Sequence, residues 1–100
     1  MKLQTVIIPR GRHAVYFRRD TVPPEEELLV DPAVIKDPTI PVEVVGLFVY
    51  ISGTVLATGK GIELEGLPYC KHKSCRKDLI QALRILEKKG LIKMTLRVEK

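Results

Sequence analysis

The chain has 100 residues, of which 45% are hydrophobic, and a formal net charge of +5. A chain of this length can bury one small core, so we expect a single domain spanning residues 1–100. No apolar run approaches the roughly 18 residues needed to cross a bilayer, and the N-terminus lacks the pattern of a signal peptide. These features predict a soluble cytoplasmic protein with no membrane partner.

The charge is unevenly distributed along the chain. Residues 1–20 carry five basic side chains against one acid, and residues 70–100 carry ten against three. Residues 21–41 have the opposite balance, with five acids against one lysine. Separate basic and acidic surfaces are typical of a protein that binds a polyanion, but a chance imbalance on a solvated surface gives the same totals.

Two short runs rich in β-branched and aromatic residues open the chain, at residues 3–8 and 14–18. The segment between them, residues 9–13, has the Gly and Pro chemistry of a turn. The pattern predicts a β-hairpin over residues 1–20 with a basic tip.

Acidic and proline-containing segments follow. Residues 25–30 predict the first turn of a short helix, because glutamates favour the positive end of the helix dipole. Asp31 and Pro32 predict a second helix start, as cap and first helical residue, and Pro38 limits that helix to about two turns.

The middle of the chain is ambiguous in local propensity. The β-branched residues of segment 41–52 favour a strand, whereas the spacing of its apolar residues suits one face of a helix, and we interpret it as a buried helix. Three glycines predict a loop or a tight hairpin over residues 52–61. Residues 62–64 then predict a very short strand.

The last thirty residues carry the clearest pattern. Apolar residues recur at helical spacing from Leu79 to Leu86, which predicts a helix over residues 75–89 with one face in the core. Ser74 is the predicted N-cap, and Gly90 is the predicted left-handed residue after the C-terminus. The alternation from Ile92 onward predicts a strand with one buried and one polar face.

The face of this helix opposite the apolar arc collects Lys77, Gln81, Arg84 and Lys88. Arginine and lysine contact phosphates and guanine edges, glutamine pairs with adenine, and a helix fits the major groove of DNA. An ordinary solvated helix face carries the same residue types, so this pattern alone leaves both interpretations open.

Residues 75–92, CRKDLIQALRILEKKGLI, resemble the recognition helix and following turn of winged helix-turn-helix proteins. The resemblance is carried by Arg76, Leu79, Ala82, Leu83, Leu86, Glu87, Gly90, Leu91 and Ile92. Residues 28–52, LLVDPAVIKDPTIPVEVVGLFVYIS, are similar to the leading segment of the winged-helix module in phage replication-organiser proteins.

The resemblance implies an α+β fold, a winged helix-turn-helix with a three-helix core and a small antiparallel sheet. Helices within residues 25–52 would precede a helix-turn-helix and wing strand within residues 62–100. It also implies a DNA-binding protein of phage or another mobile element, a transcriptional regulator or a replication-associated factor, with double-stranded DNA as partner. The expected DNA-contacting residues are Lys71, Lys73, Ser74, Arg76, Lys77, Gln81, Arg84, Lys88, Lys93, Arg97, Arg10 and Arg12.

Two features depart from the family pattern. Gly66 and Pro68 require the first helix of the motif to be short and to begin near Pro68. In addition, a wing needs two antiparallel strands, yet one strand follows the recognition helix, so the N-terminal hairpin is expected to supply the second. Arg10, Arg12 and His13 would then form a basic tip that contacts phosphate or a minor groove.

The sequence matches the patterns of zinc sites, phosphate-binding loops and catalytic sites poorly. Cys70, His72 and Cys75, with His13, offer four nitrogen or sulfur ligands, but their spacing fits no common zinc framework, and we expect no metal. Residues 53–61 lack the spacing and the terminal Ser or Thr of a phosphate-binding loop. We identify no catalytic set, and therefore expect neither an enzyme, a cofactor nor a small-molecule substrate.

A protein-interaction or dimerisation module without DNA binding is the alternative, because a fold does not fix a function. The apolar residues 5–8 would then be the contact surface, and a homodimer remains open.

Overall fold

The computed structural model describes residues 2–11, 13–67 and 73–99, with side chains for residues 5–11, 13–67 and 77–95. The strands are β1 (Lys2–Pro9), β2 (Ala14–Arg19), β3 (Glu25–Val30), β4 (Ile62–Glu63) and β5 (Ile92–Glu99). The helices are α1 (Pro32–Lys36), α2 (Val42–Thr58) and α3 (Lys73–Lys88), and a 3-10 turn spans Leu64–Gly66. The chain is therefore α+β, with three helices and two small antiparallel sheets among the described residues.

Strand β1 lies in the centre of a three-stranded antiparallel sheet, between β4 and β5. Its pairing with β5 runs from Pro9 opposite Ile92 to Lys2 opposite Glu99, and Val6 lies opposite Glu63 of β4. The N-terminal strand therefore does pair with the C-terminal strand. The predicted hairpin of residues 1–20 is wrong, because β1 and β2 belong to different sheets.

Strand β2 instead pairs with β3. The helix predicted at residues 25–30 is wrong, because these residues form a strand that pairs with β2. Arg19 lies opposite Glu25, and Arg18 lies opposite Glu26. The other end of β3 packs on α2, where Leu28 lies close to Gly53. Pairing and packing thus outweigh the weak preference of glutamate for a helix start.

Helix α1 begins as predicted, with Pro32 in the first turn and the Asp31 carboxylate accepting a hydrogen bond from the Ala33 N–H at 3.0 Å. Helix α2 is also as predicted at its start but runs six residues past Ser52, to Thr58. The predicted loop is wrong there, since Gly53 remains helical and the left-handed conformation falls at Gly59 (φ +71°). The Gly59 N–H donates to the Val55 carbonyl and ends the helix.

Helix α3 and strand β5 are confirmed with small shifts of their ends. The helix begins at Lys73, so Ser74 lies within its first turn and is not the N-cap. Gly90 is left-handed as predicted (φ +76°), and the Leu91 N–H donates to the Leu86 carbonyl at 3.0 Å. The short helix predicted near Pro68 lies outside the described residues.

One hydrophobic core joins the two long helices to the three-stranded sheet. Its fully buried hydrophobic side chains come from β1, α2, α3 and β5, and are Ile7, Phe48, Ile51, Leu83, Leu86 and Ile92. None of the helices in the described part of the chain is long and apolar enough to cross a membrane.

Gly61 allows the close approach of β1 to the loop before β4. A Cβ at this position would lie 2.5 Å from Val6 Cγ1 and 3.3 Å from the Ile7 carbonyl oxygen. We expect Gly61→Ala to lower the free energy of unfolding by about 1–3 kcal/mol, because the stiff valine and the strand backbone must shift. The matched control is Gly66→Ala, where the added Cβ would meet no described heavy atom within 4 Å. Equal denaturant midpoints for the two variants would contradict this packing.

Ser52 is a buried polar residue in α2, with 0% of its side chain exposed. Its hydroxyl oxygen has no hydrogen-bond partner within the described structure. We expect Ser52→Ala to raise the free energy of unfolding by about 1 kcal/mol, because it removes an unsatisfied buried group and introduces a better helix former. Ser52→Thr retains the hydroxyl and should give no increase. Thermal unfolding of both variants measures the difference.

Candidate nucleic-acid interface

The polar face predicted for α3 is exposed over its described part. Lys77, Gln81, Arg84 and Lys88 all lie at the surface. On the opposite side, Leu79, Leu83 and Leu86 are at most 4% exposed and anchor the helix in the core. Burial of the apolar face therefore keeps the four polar residues of α3 exposed to solvent.

These four residues form a single stripe along the helix. Their spacings of four, three and four residues place them close to one line parallel to the helix axis. At about 1.5 Å per residue the stripe from Lys77 to Lys88 is about 16 Å long. The acids Asp78 and Glu87 are displaced from Lys77 by about 100° and about 80° around the helix, one on each side. The stripe itself thus contains three cations and an amide.

Pairing of β2 with β3 neutralises much of the N-terminal positive charge. The Arg19 guanidinium lies 2.7 Å from the Glu27 carboxylate and 3.9 Å from that of Glu25. Tyr16 of β2 forms a side-chain hydrogen bond with Glu26 of β3. This bond, with a smaller effect of desolvation, raises the pKa of Tyr16. The arginines of β2 are therefore compensated by the glutamates of β3, with Arg19 in ion pairs and Arg18 opposite Glu26.

Lys89, the first residue after α3, forms an ion pair with the loop that follows α1. Its ammonium lies 3.7 Å from the Asp37 carboxylate. The Thr39 hydroxyl and backbone N–H donate hydrogen bonds to Asp37, and together with Lys89 they hold the pKa of Asp37 below its ordinary value. The sequence analysis did not identify Asp37 as the partner of Lys89. An aspartate two residues before a threonine is nevertheless typical of a turn in which the carboxylate accepts a backbone hydrogen bond.

The other predicted DNA-contacting residues are dispersed. Lys93 is exposed on β5, opposite Ile8 of β1. The Arg10 side chain is exposed too, and the Arg10 backbone N–H donates to the Leu91 carbonyl. Lys71 and Arg12 lie outside the described residues, as do the side chains of Lys73, Ser74, Arg76 and Arg97.

The predicted basic tip is wrong in its placement of Arg10. That residue follows β1 at the end where β5 begins, beside the C-terminus of α3. The opposite end of the β1–β5 ribbon carries Lys2 and Glu99. Arg10 therefore belongs to the base of the ribbon, because β1 enters the sheet as its central strand and has no hairpin partner in β2.

The contact surface predicted at residues 5–8 is exposed only in part. Val6 and Ile7 are buried, with Ile7 in the hydrophobic core, whereas Ile8 is 41% exposed. An exposed apolar patch occurs instead on β2 and β3, where Val15, Phe17 and Leu29 are 40–49% exposed.

The cysteine and histidine cluster cannot be placed, because Cys70 and His72 lie outside the described residues. Among the residues that are described, no three histidine, cysteine or acidic side chains are grouped as a metal site would require.

Comparisons with known proteins give no relative. No family model, curated protein or solved structure matches this chain. The assignment of function therefore depends on the geometry of α3 and the strands around it.

Adjacent residues of α3 test the assignment of its two faces. Leu83→Ala should lower the free energy of unfolding by about 2–5 kcal/mol, because it opens a cavity in the core. Arg84→Ala should change it by no more than about 0.5 kcal/mol, since the side chain is exposed. Urea unfolding monitored by circular dichroism compares the two. A large loss with Arg84→Ala would show that this arginine is structural.

Proposed function

We propose that this protein binds double-stranded DNA as a winged helix-turn-helix domain and inserts α3 into the major groove. The observation that carries the proposal is the exposed stripe of Lys77, Gln81, Arg84 and Lys88 on a helix whose opposite face is buried. Lysines on such a stripe contact phosphates, whereas Gln81 and Arg84 are the residue types that read adenine and guanine edges.

The strand arrangement supports the winged form of this fold. A wing consists of two antiparallel strands after the recognition helix. Strand β5 follows α3 after the turn at Gly90, and β1 pairs with it over eight residues. In this proposal β1 is therefore the second wing strand, although it precedes all the helices in the chain.

The proposed role is that of a regulator or replication-associated factor of a phage or another mobile element. Affinity would come mainly from lysine and arginine contacts with phosphates, so it would fall steeply as salt is added. Base preference would come from the two central residues of the stripe, Gln81 and Arg84.

Salt-dependent binding to random duplex DNA tests this proposal. We expect Lys77→Ala/Lys88→Ala to reduce the slope of log affinity against log salt by about 2, because about 0.9 of a counterion is released per phosphate contact. The matched control is Lys36→Ala/Lys60→Ala, which removes the same charge from two exposed lysines on other elements. Fluorescence anisotropy over a salt series measures both variants.

Two outcomes would contradict the proposal. Absence of wild-type binding to duplex DNA at low salt would exclude DNA as the partner. An equal loss of slope in the two double variants would mean that total charge, and not the α3 stripe, determines binding.

A protein-interaction module is the second candidate, and the exposed patch of Val15, Phe17 and Leu29 favours it. The same anisotropy series separates the two candidates, because a surface of this chemistry gives no salt-dependent affinity for DNA.

A further inference from the structure

One edge of strand β5 has no paired strand among the described residues. The strand is eight residues long and pairs, among the described strands, with β1 alone. A strand edge of this length presents a row of unpaired backbone groups, to which another strand can add.

The β1–β5 register identifies the groups on this edge. The Arg10 N–H donates to the Leu91 carbonyl at 2.8 Å, so the odd-numbered residues of β5 direct their backbone groups toward β1. The even-numbered residues direct theirs outward. The Met94 N–H does so, and it meets the Glu87 carboxylate from α3 at the long distance of 3.4 Å. The N–H and C=O groups of Leu96 and Val98 lie further along the same edge.

We propose that this edge pairs with the β5 edge of a second copy of the chain, in the antiparallel direction and about a two-fold axis at Leu96. In such an isologous contact every pair of facing residues away from the axis occurs twice, so an unfavourable pair is also repeated. The sequence of β5, IKMTLRVE, therefore disfavours some registers relative to others.

Two neighbouring registers place like charges together. With the axis at Thr95, Lys93 would face Arg97 of the second copy. With the axis at Arg97, the two arginines would face each other. Like charges directly opposite on a sheet are destabilising.

The register centred on Leu96 has no like-charge pair. It places Lys93 opposite Glu99 of the second copy, and Thr95 opposite Arg97. The apolar Met94 lies opposite Val98, and Leu96 opposite itself. This strand is thus complementary to itself in charge and in apolar pattern, which identifies a second copy as the occupant. The contact would join the two three-stranded sheets into one continuous sheet.

Charge reversal tests this pairing in the absence of DNA, so the result does not depend on the proposed DNA binding. Wild-type protein should form a dimer reversibly as its concentration rises in sedimentation velocity. Lys93→Glu and Glu99→Lys should each raise the dimer dissociation constant at least about tenfold, because each turns both symmetric ion pairs into like-charge pairs. An equimolar mixture of the two variants should restore dimers, because both pairs between positions 93 and 99 of the mixed dimer join opposite charges.

The control variant is Lys60→Glu, which makes the same charge change at an exposed position after α2 and should leave dimerisation unchanged. Amide hydrogen exchange at Leu96 and Val98 should slow as wild-type dimer forms. Within its own chain Lys93 lies opposite the uncharged Ile8, so Lys93→Glu creates no like-charge pair between β1 and β5, whereas Glu99→Lys places a second lysine opposite Lys2. Lys93→Glu is therefore the decisive single variant.

Three results would overturn the proposal. The first is a wild-type protein that stays monomeric up to high micromolar concentration. The second is a dimer that neither single reversal weakens, which would assign the contact to another surface such as the apolar patch of β2 and β3. The third is a mixture of the two variants that stays monomeric.

Discussion

The burial of β1 between β4 and β5 is the constraint on which the rest of this structure depends. Ile7 of β1 is fully buried in the core shared by α2, α3 and β5. Without β1, β4 and β5 would have no strand between them, and the apolar faces of both long helices would lose the centre of the sheet that covers them. This pairing joins residues almost 90 positions apart, as in the hydrogen bond between the Thr95 hydroxyl and the Val6 carbonyl.

The same pairing determines where the charge of the molecule lies. Because β1 occupies the larger sheet, β2 is left to pair with β3, and the arginines of β2 meet the glutamates of β3. Their charges compensate each other at the surface. Among the described residues, the basic stripe on α3 has no such strand beside it, and its flanking acids lie to either side. The fold thus separates a hairpin in which acids outnumber the arginines from a helix that retains its positive charge.

Strand β5 connects the two proposals about function. It follows the proposed reading helix after one turn, and one of its edges is filled by β1. The opposite edge is the proposed contact with a second copy. In an assembly joined through that edge, the two α3 helices would be related by the same two-fold axis, which is the relation that a DNA-binding dimer needs to contact two half-sites.

The sequence by itself determined the elements with strong local signals. The 3.6-residue period, Gly90 and the alternation after it predicted α3, its polar face and β5, while Asp31 and Pro32 predicted the start of α1. Tertiary structure decided the partner of β1, the strand at Glu25–Val30 and the continuation of α2 through Gly53. It also decided that Arg19 and Lys89 are paired with acids, and that Arg10 lies at the base of the ribbon. The physical reason is that local periodicity shows which face of an element is apolar, whereas strand pairing and charge compensation depend on residues that are distant in the chain and meet only after folding.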